Sequence, residues 1–383
     1  MLSAIAFVIG GSGLALVTLA SLVARRELAA LVRVPPAPLM VPLLVVIPAR
    51  DEADGIGACL QRVLSDRCAA LRVLVVDDRS SDQTAAIVMQ LVATDARLTL
   101  LRLEEDPPAD SFGKPRALAL GVEHVRATGA LPERVLFLDA DVLLEEGALG
   151  GLLCALEASR ASALSGLPHL DCRTLLEQLL LPTIVPLLVG RLGPTRVHDD
   201  SDAAAFLNGQ LILVDTAAYQ NAGGFAAVCH TVLEDVALAR ALKGRGHRLR
   251  LGDLRALAST RMYCSWRGIV EGFGKNATAL LGPHAWATGI LSLSVSLLPL
   301  LAVVLALASK DAAALAGALA LLIAAMAVQV LARRRTGAPL WPVLVLPLAY
   351  AGVAWVLVRA SWRTLRGHTT QWKGRDYPGQ RAP

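Results

Sequence analysis

The feature that most constrains this chain is where its charges are missing. Ser3 to Val23 carries no charged residue, and Thr288–Ser309, Ala312–Ala332 and Pro339–Val358 are equally bare. About 20 apolar residues suffice to cross the hydrocarbon core of a bilayer. Each segment is therefore a candidate membrane element, in line with a hydrophobic content of 55% over 383 residues. No positive charge precedes the first segment, whereas Arg25 and Arg26 follow it at once. That order predicts an uncleaved anchor over residues 1–26 whose C-terminal end is cytoplasmic.

The C-terminal membrane region, residues 286–360, poses a topological conflict. Three crossings from a cytoplasmic domain would place the tail, residues 361–383, outside. That tail carries Arg363, Arg366, Lys373, Arg375 and Arg381, and the loop before Pro339 carries Arg333, Arg334 and Arg335. Basic flanks on both sides of Pro339–Val358 favour the cytoplasm for both ends. Pro339, Pro342 and Pro347 interrupt the segment. A re-entrant or surface-lying element resolves the conflict, leaving one N-terminal span, a C-terminal pair and a basic cytoplasmic tail.

Between these regions, over residues 43–283, charges are frequent and short apolar runs alternate with helical patterns. Leu43–Ile47, Leu71–Val76, Leu98–Leu103 and Arg134–Leu138 read as buried strands, with Pro48 ending the first. Gly55–Leu64, Asp82–Ala93 and Lys114–Ala127 read as helices between them. Such alternation predicts right-handed βαβ units in a Rossmann-like, mostly parallel α/β sheet. Ligands of such sheets bind beyond the carboxyl ends of the strands. Residues 173–193 are apolar but contain Glu177, Pro182 and Pro186. They are expected to form an interfacial helix or a gating segment rather than a span.

The strand ends carry the chemistry. "VLFLDAD" runs four apolar residues into Asp139 and Asp141. Two carboxylates held close repel unless a cation lies between them or one is protonated. Oxygen ligands of this kind suit Mg²⁺ or Mn²⁺. An Asp-x-Asp pair by itself is an ordinary polar turn; its position after a fourth buried strand gives it weight. Asp77-Asp78 ends the second strand, where an acidic group can meet a base or a ribose. Ser80, Ser81 and Asp82 there also serve as helix-capping residues. Arg50-Asp-Glu52 follows the first strand. Lys114 opens a helix beside a glycine and either faces a phosphate or is solvated. Glu234-Asp235 starts a helix, which acidic residues stabilise in any case; a carboxylate there can also act as a general base. The six cysteines form no C-x-x-C pair and read as reduced thiols. A net charge of +5 without basic–aromatic clusters gives no reason to expect nucleic acid as a partner.

Taken together, "VVIPARDEADGIGACL", "VLVVDDRSSDQT", "GKPRALALG", "LFLDADV", "NGQLILV" and "LEDVALARALKGRG" resemble, in order and spacing, the inverting family 2 glycosyltransferases of GT-A fold. The likeness covers about Val45 to Gly282. The membrane layout, "RMYCSWRGIVEGFGKN" and "QWKGRDY" resemble the bacterial hopanoid-associated and carotenoid-type branch. The resemblance implies that Pro48, Arg50 and Glu52 line a nucleotide pocket and that Asp78 contacts the base. It implies Lys114 near the ribose or diphosphate, Asp139 and Asp141 as the metal motif, and Asp235 as catalytic base. The Gln-x-x-Arg-Trp motif of processive relatives is absent; Trp372 and Arg375 would replace it at the diphosphate, or else the basic tail binds lipid head groups. The implied activity is transfer of one sugar from a nucleotide-diphosphate sugar, a UDP-sugar by resemblance, to a lipid in the bilayer. A processive polysaccharide synthase would need a translocation channel. A catalytically inactive lipid-binding scaffold would not need Asp139, Asp141 and Asp235, and a transporter would not need so large an α/β region.

Overall fold

The structure is a computed structural model. It describes the backbone except at residues 107, 109–110, 232, 264, 282–283, 367–369, 373–374 and 378–383. Its side chains are described except at these positions and at 188–189, 191–192, 275–281, 335, 370–372 and 375–377. The chain divides into two compact units. One comprises Ala30–Asp171 and Leu192–Met262; the other comprises Met1–Ala29, Cys172–Arg191 and Tyr263–Pro383.

The first unit is α/β. Its strands in chain order are β1 (Val32–Arg33), β2 (Leu43–Ala49), β3 (Leu71–Asp77), β4 (Leu98–Arg102), β5 (Arg134–Leu138), β6 (Val142–Leu144), β7 (Ala163–Leu167), β8 (His169–Leu170), β9 (Leu211–Asp215), β10 (Leu249–Asp253) and β11 (Ala258–Thr260). Eight of them form one sheet in the order β1-β10-β7-β9-β5-β2-β3-β4, and β6, β11 and β8 form a small second sheet. Every pairing in the large sheet is parallel except the two made by β9. The expected mostly parallel α/β fold is present. The central strands β2, β3 and β5 are apolar on both faces because helices cover both; Leu43 to Ile47 are at most 1% exposed.

The helices Ile56–Leu64, Thr84–Val92 and Gly113–Thr128 lie where the apolar spacing placed them. One boundary differs. Pro48 does not end its strand: β2 runs on to Ala49, with Pro48 in register with Val76 of β3. Pairing of β2 with β5 stops at Val46. Pro48 therefore sits where one neighbour has already dropped away, a position that tolerates a missing N–H.

The second unit is helical. Four of its helices, Leu2–Ala30, Ala285–Ser309, Ala312–Arg334 and Trp341–Leu365, are long and apolar enough to cross a membrane. Their directions follow from contacts. The Trp286 N–H donates to Ser361 Oγ at 3.0 Å, and a Cβ on Gly289 would meet Ala354 and Leu357. Partner numbers fall as numbers in Ala285–Ser309 rise, so helix Leu346–Leu365 runs antiparallel to it. Ala312–Thr336 follows Ala285–Ser309 after Lys310 and Asp311 and packs back on it, so it is antiparallel as well. Hence Ala312–Thr336 and Leu346–Leu365 run in the same direction. The chain must return into the bundle between them, over residues 337–345, through the 3₁₀ turn Trp341–Val345. At 1.5 Å per residue, Leu346 lies about 22 Å along the helix axis from the level of Ser361.

The N-terminal helix runs against Ala285–Ser309 too, since Gly10 faces Ala302 while Gly13 faces Leu298 and Pro299. Its Arg25 and Arg26 thus come to the same end of the bundle as Trp286. Arg333–Arg335, Arg359, Arg363 and Arg366 lie at that end, and Lys310 and Asp311 lie at the other. Residues 173–193 include the helix Leu175–Leu192, with Pro182 and Pro186 inside it. The buried Arg333 ties this helix to the returning segment, donating to Thr183 Oγ1 (2.9 Å) and to the Pro339 carbonyl (3.1 Å).

Candidate active site

The strand order builds the site. Because β5, β2 and β3 are adjacent and parallel, Asp139, Arg50 to Glu52 and Asp77 to Arg79 emerge side by side at their carboxyl ends. Because β9 is antiparallel to β5, the residues before it, Asn208 to Gln210, arrive at the same edge. The backbone registers this: the Asp139 N–H donates to the Gln210 carbonyl at 2.9 Å.

The loops after β2 and β3 are locked together. Asp51 Oδ1 accepts from the N–H and hydroxyl of Ser81 (2.7 and 3.0 Å), and the Asp51 N–H donates to Ser80 Oγ (3.0 Å). The Glu52 N–H donates to Thr84 Oγ1 at 2.8 Å and the Ala53 N–H to Asp82 Oδ2 at 3.0 Å. Asp51 and Arg79 both adopt left-handed backbone, with φ of 51° and 58°. That conformation costs a non-glycine residue about 1 kcal/mol or more, and the cross-loop hydrogen bonds hold it in place. Its effect at Arg79 is to fold the guanidinium back onto Asp78, with Nη2 and Nε at 2.8 and 3.1 Å from Oδ1. Arg50 Nη1 approaches the other oxygen at 3.8 Å. Asp78 is only 4% exposed, so what this corner offers a ligand is chiefly the two guanidiniums it holds. Arg79 was not singled out from sequence, since nothing local marks a residue whose backbone turns left-handed. Pro48 lies half-buried in β2 below this loop pair.

The Asp139-Ala-Asp141 pair sits on a tight turn between β5 and β6, closed by the Val142 N–H donating to the Asp139 carbonyl at 3.1 Å. Burial, then the charges of Asp139 and Glu52, push the Asp141 carboxyl up to about 7. The neighbouring Cys59 thiol is pushed far above its ordinary value by burial and by Asp141, Asp139 and Glu52 in turn, so it stays protonated and inert. Carboxylates that repel this strongly in one corner suit an added cation. Among the described residues no three His, Cys, Asp or Glu side chains form a closed metal cage. An open pair of hard oxygen donors is what Mg²⁺ or Mn²⁺ needs when phosphates complete the shell, and the residues present fit such an ion.

Lys114, at the start of helix Gly113–Thr128, connects this turn to the second half of the site. Its Nζ lies 2.6 Å from Asp139 Oδ1 and 3.5 Å from Glu234 Oε1, and donates to the Gly209 carbonyl at 3.2 Å. Burial opposes its charge, but Asp139 and Glu234 outweigh burial and hold its pKa above the ordinary lysine range. Glu234 and Asp235 open helix Glu234–Gly244. Asp235 accepts from the Gly209 N–H at 2.9 Å and from the Val236 N–H at 2.8 Å. Burial, then Glu234, push its carboxyl up to about 6 against the pull of Lys114 and these donors. Gly209 is required by space: a Cβ there would stand 2.9 Å from Asp235 Oδ2.

The structure therefore brings Pro48, Arg50, Glu52, Asp78, Lys114, Asp139, Asp141 and Asp235 to one edge of one sheet. Trp372 and Arg375 fall on two short paired strands, Thr370–Trp372 and Arg375–Tyr377; their side chains lie outside the described residues.

No curated protein matches the sequence. Among solved structures, the chain is similar to the mannosyltransferase PcManGT from Pyrobaculum calidifontis in complex with GDP-Man and Mn²⁺. That match has 21% identity and a TM-score of 0.54, and it covers 94% of this chain and 99% of that one. A second similar structure is TarS 1–349 of S. aureus in complex with UDP-GlcNAc, with 14% identity and a TM-score of 0.41 over 88% of this chain and 95% of that one. The sequence profile described as Glycosyltransferase like family 2 matches residues 41–251, which is more than half of the chain and contains every strand of the sheet from β2 to β9. On that match, and with the acidic strand ends gathered as described, the chain belongs to the glycosyltransferase like family 2.

Proposed function

We propose that this protein is a membrane-embedded inverting glycosyltransferase. It moves a single sugar from a nucleotide-diphosphate sugar, a UDP-sugar by resemblance, to a lipid acceptor in the bilayer. The observation that carries the reading is the junction at Lys114. One ammonium joins the Asp139-x-Asp141 turn to the start of the helix that presents Asp235.

In this reading Arg50, Glu52, Asp78 and Pro48 receive the nucleotide, with Arg79 added to them. Asp139 and Asp141 would hold Mg²⁺ or Mn²⁺, which supplies positive charge to the departing diphosphate. Lys114 is placed to meet the same charge. Asp235 takes the proton from the acceptor hydroxyl as its oxygen forms the new bond to the anomeric carbon. The bond from that carbon to the diphosphate breaks with its electron pair going to the phosphate oxygen, and configuration inverts. A carboxyl with pKa near 6 is ionised at neutral pH and remains basic enough to accept a proton. Trp372 and Arg375 are proposed to cover the diphosphate, as the family resemblance implies.

For the membrane, we take residues 1–26 as an anchor, 43–283 as the catalytic region with 173–193 interfacial, 286–360 as the C-terminal membrane region and 361–383 as a tail. The shared direction of Ala312–Thr336 and Leu346–Leu365, with the basic residues gathered at one end of the bundle, supports a cytoplasmic tail and a segment that enters and leaves on one side.

The test uses full-length protein in detergent with Mn²⁺ and total bacterial lipid. UDP-sugars and GDP-sugars are offered in parallel, and nucleoside diphosphate release and labelled lipid are followed. Lipid-dependent release with one sugar per lipid and an inverted anomeric configuration supports the proposal. Polymeric product would establish the processive alternative, and no release with any donor would overturn the enzymatic reading.

A further inference from the structure

The contact between Lys114 and Asp139 raises a difficulty for the metal site just proposed. Asp139 Oδ1 is already taken, at 2.6 Å, by an ammonium group. That oxygen cannot serve Lys114 and a divalent ion at full strength together, since two cations brought to one carboxylate repel. Lys114 also has another place to go. Glu234 Oε1 stands 3.5 Å away, and the Gly209 carbonyl at 3.2 Å can act as a pivot for either position. Lysine suits such a move, because its charge is compact and sits on a flexible four-carbon stem.

We infer that Lys114 is the resident cation of the Asp139-x-Asp141 turn in the donor-free protein, and that it is passed to Glu234 and the donor diphosphate as a divalent cation enters. The inference rests on the metal reading of Asp139 and Asp141 proposed above. It makes metal entry conditional on the nucleotide. Without a diphosphate, Lys114 gives up Asp139 only for the more distant Glu234. With one, it gains a doubly charged partner at the same moment that phosphate oxygens complete the metal's shell. The carboxylates also never stand without a cation, and the acidic turn keeps its shape between turnovers. Glu234 is then a positioning residue, not a second base: it is the carboxylate on which Lys114 waits. The competing picture is a fixed strut, in which Lys114 stays on Asp139 and the metal takes Asp141 alone.

Direct Mn²⁺ binding separates the two. Free Mn²⁺ is read by electron paramagnetic resonance over full-length protein in detergent, with no nucleotide, with UDP and with GDP. The proteins are wild type, Lys114→Met, Lys114→Gln, Glu234→Gln and the Lys114→Met/Glu234→Gln double variant. Lys114→Gln retains length and a hydrogen bond, so it reports even where the Met variant folds poorly. The expected result is that wild type binds Mn²⁺ weakly alone and at least about tenfold more tightly with one of the two nucleotides, because that nucleotide relieves the repulsion between cations. Both Lys114 variants should bind Mn²⁺ at least about tenfold more tightly than wild type without nucleotide, and the gain from nucleotide should be smaller than in wild type, because only the phosphate ligands then contribute to it. Glu234→Gln should weaken nucleotide-free binding in the presence of Lys114 and have a much smaller effect in its absence. If the Lys114 variants stay within about twofold of wild type, or if the Glu234→Gln effect is the same with and without Lys114, the lysine is a fixed strut and the inference fails. If no protein binds Mn²⁺ with either nucleotide, the metal reading of Asp139 and Asp141 fails and this inference falls with it.

Discussion

Replacing Asp235 by asparagine separates a catalytic base from a helix cap within one protein. The folded carboxyl is pushed from 3.8 to about 6. Relative to the unfolded chain, the native state therefore holds this proton more tightly. Stability contributed by the group is complete below about pH 4, falls as pH rises through about 6 and is flat above. At about 1.4 kcal/mol per pKa unit, the shift of roughly two units costs the wild type about 3 kcal/mol at neutral pH. Asparagine never ionises, so it escapes that cost. It keeps one acceptor oxygen for the N–H of Gly209 or Val236 but turns its NH₂ toward the other, losing about 1–2 kcal/mol. The variant should then be less stable than wild type by about 1–2 kcal/mol near pH 4 and more stable by about 1–2 kcal/mol at pH 8. Turnover should fall by about a hundredfold or more while nucleotide affinity stays close to wild type. The assay is the difference in Tm between the two proteins across pH 4–8, beside turnover per folded molecule at saturating donor. A variant that melts below wild type by the same margin at every pH, with turnover preserved, would refute the reasoning and leave Asp235 as a cap.

Four further outcomes are expected. Asp141→Asn abolishes transfer and the divalent-metal requirement together, and in wild type the affinity for Mn²⁺ climbs as pH rises through about 7, where Asp141 is half-ionised, and levels off above; transfer surviving in chelator would remove the metal assignment. Gly209→Ala forces the Asp235 carboxylate aside from a 2.9 Å approach, lowering kcat by about tenfold or more with little change in nucleotide Kd, which steady-state kinetics and calorimetry will show. Asp78→Asn removes the carboxylate shared by Arg50 and Arg79, although Arg79 keeps its contact with Asp106, and costs about 2 kcal/mol of stability, with weaker nucleotide binding; a Tm and nucleotide Kd equal to wild type would mean that Asp78 organises nothing. Pro378→Cys on a cysteine-free background should resist an impermeant thiol reagent in intact cells and react after lysis, whereas labelling from outside would establish a third C-terminal crossing.

Much of this protein is legible in its residue order, for a physical reason. Buried parallel strands are continuous apolar runs, so β2, β3, β4 and β5 appear in the sequence to within two residues. Helices long and apolar enough to cross a membrane appear as stretches without charge, and carboxylates immediately after a buried strand stand out because few other contexts hold them. Asp139, Asp141 and Asp78 could be picked out on those terms, whereas Asp235 was marked only by its place at a helix start. What sequence cannot express is pairing between distant segments. Only the tertiary structure decided that β9 enters antiparallel between β5 and β7, which sets Gly209 against Asp235. Only it laid Lys114 on Asp139 and Glu234 and folded Arg79 onto Asp78 through a left-handed turn. Likewise, the hydropathy of Trp341–Leu365 says that it can cross a membrane, while its direction relative to Ala312–Thr336 follows from Trp286 meeting Ser361. The local pattern is fixed by what each short segment must bury. Partners and directions are fixed by which segments bury it together, and that choice is made across separations the local pattern does not encode.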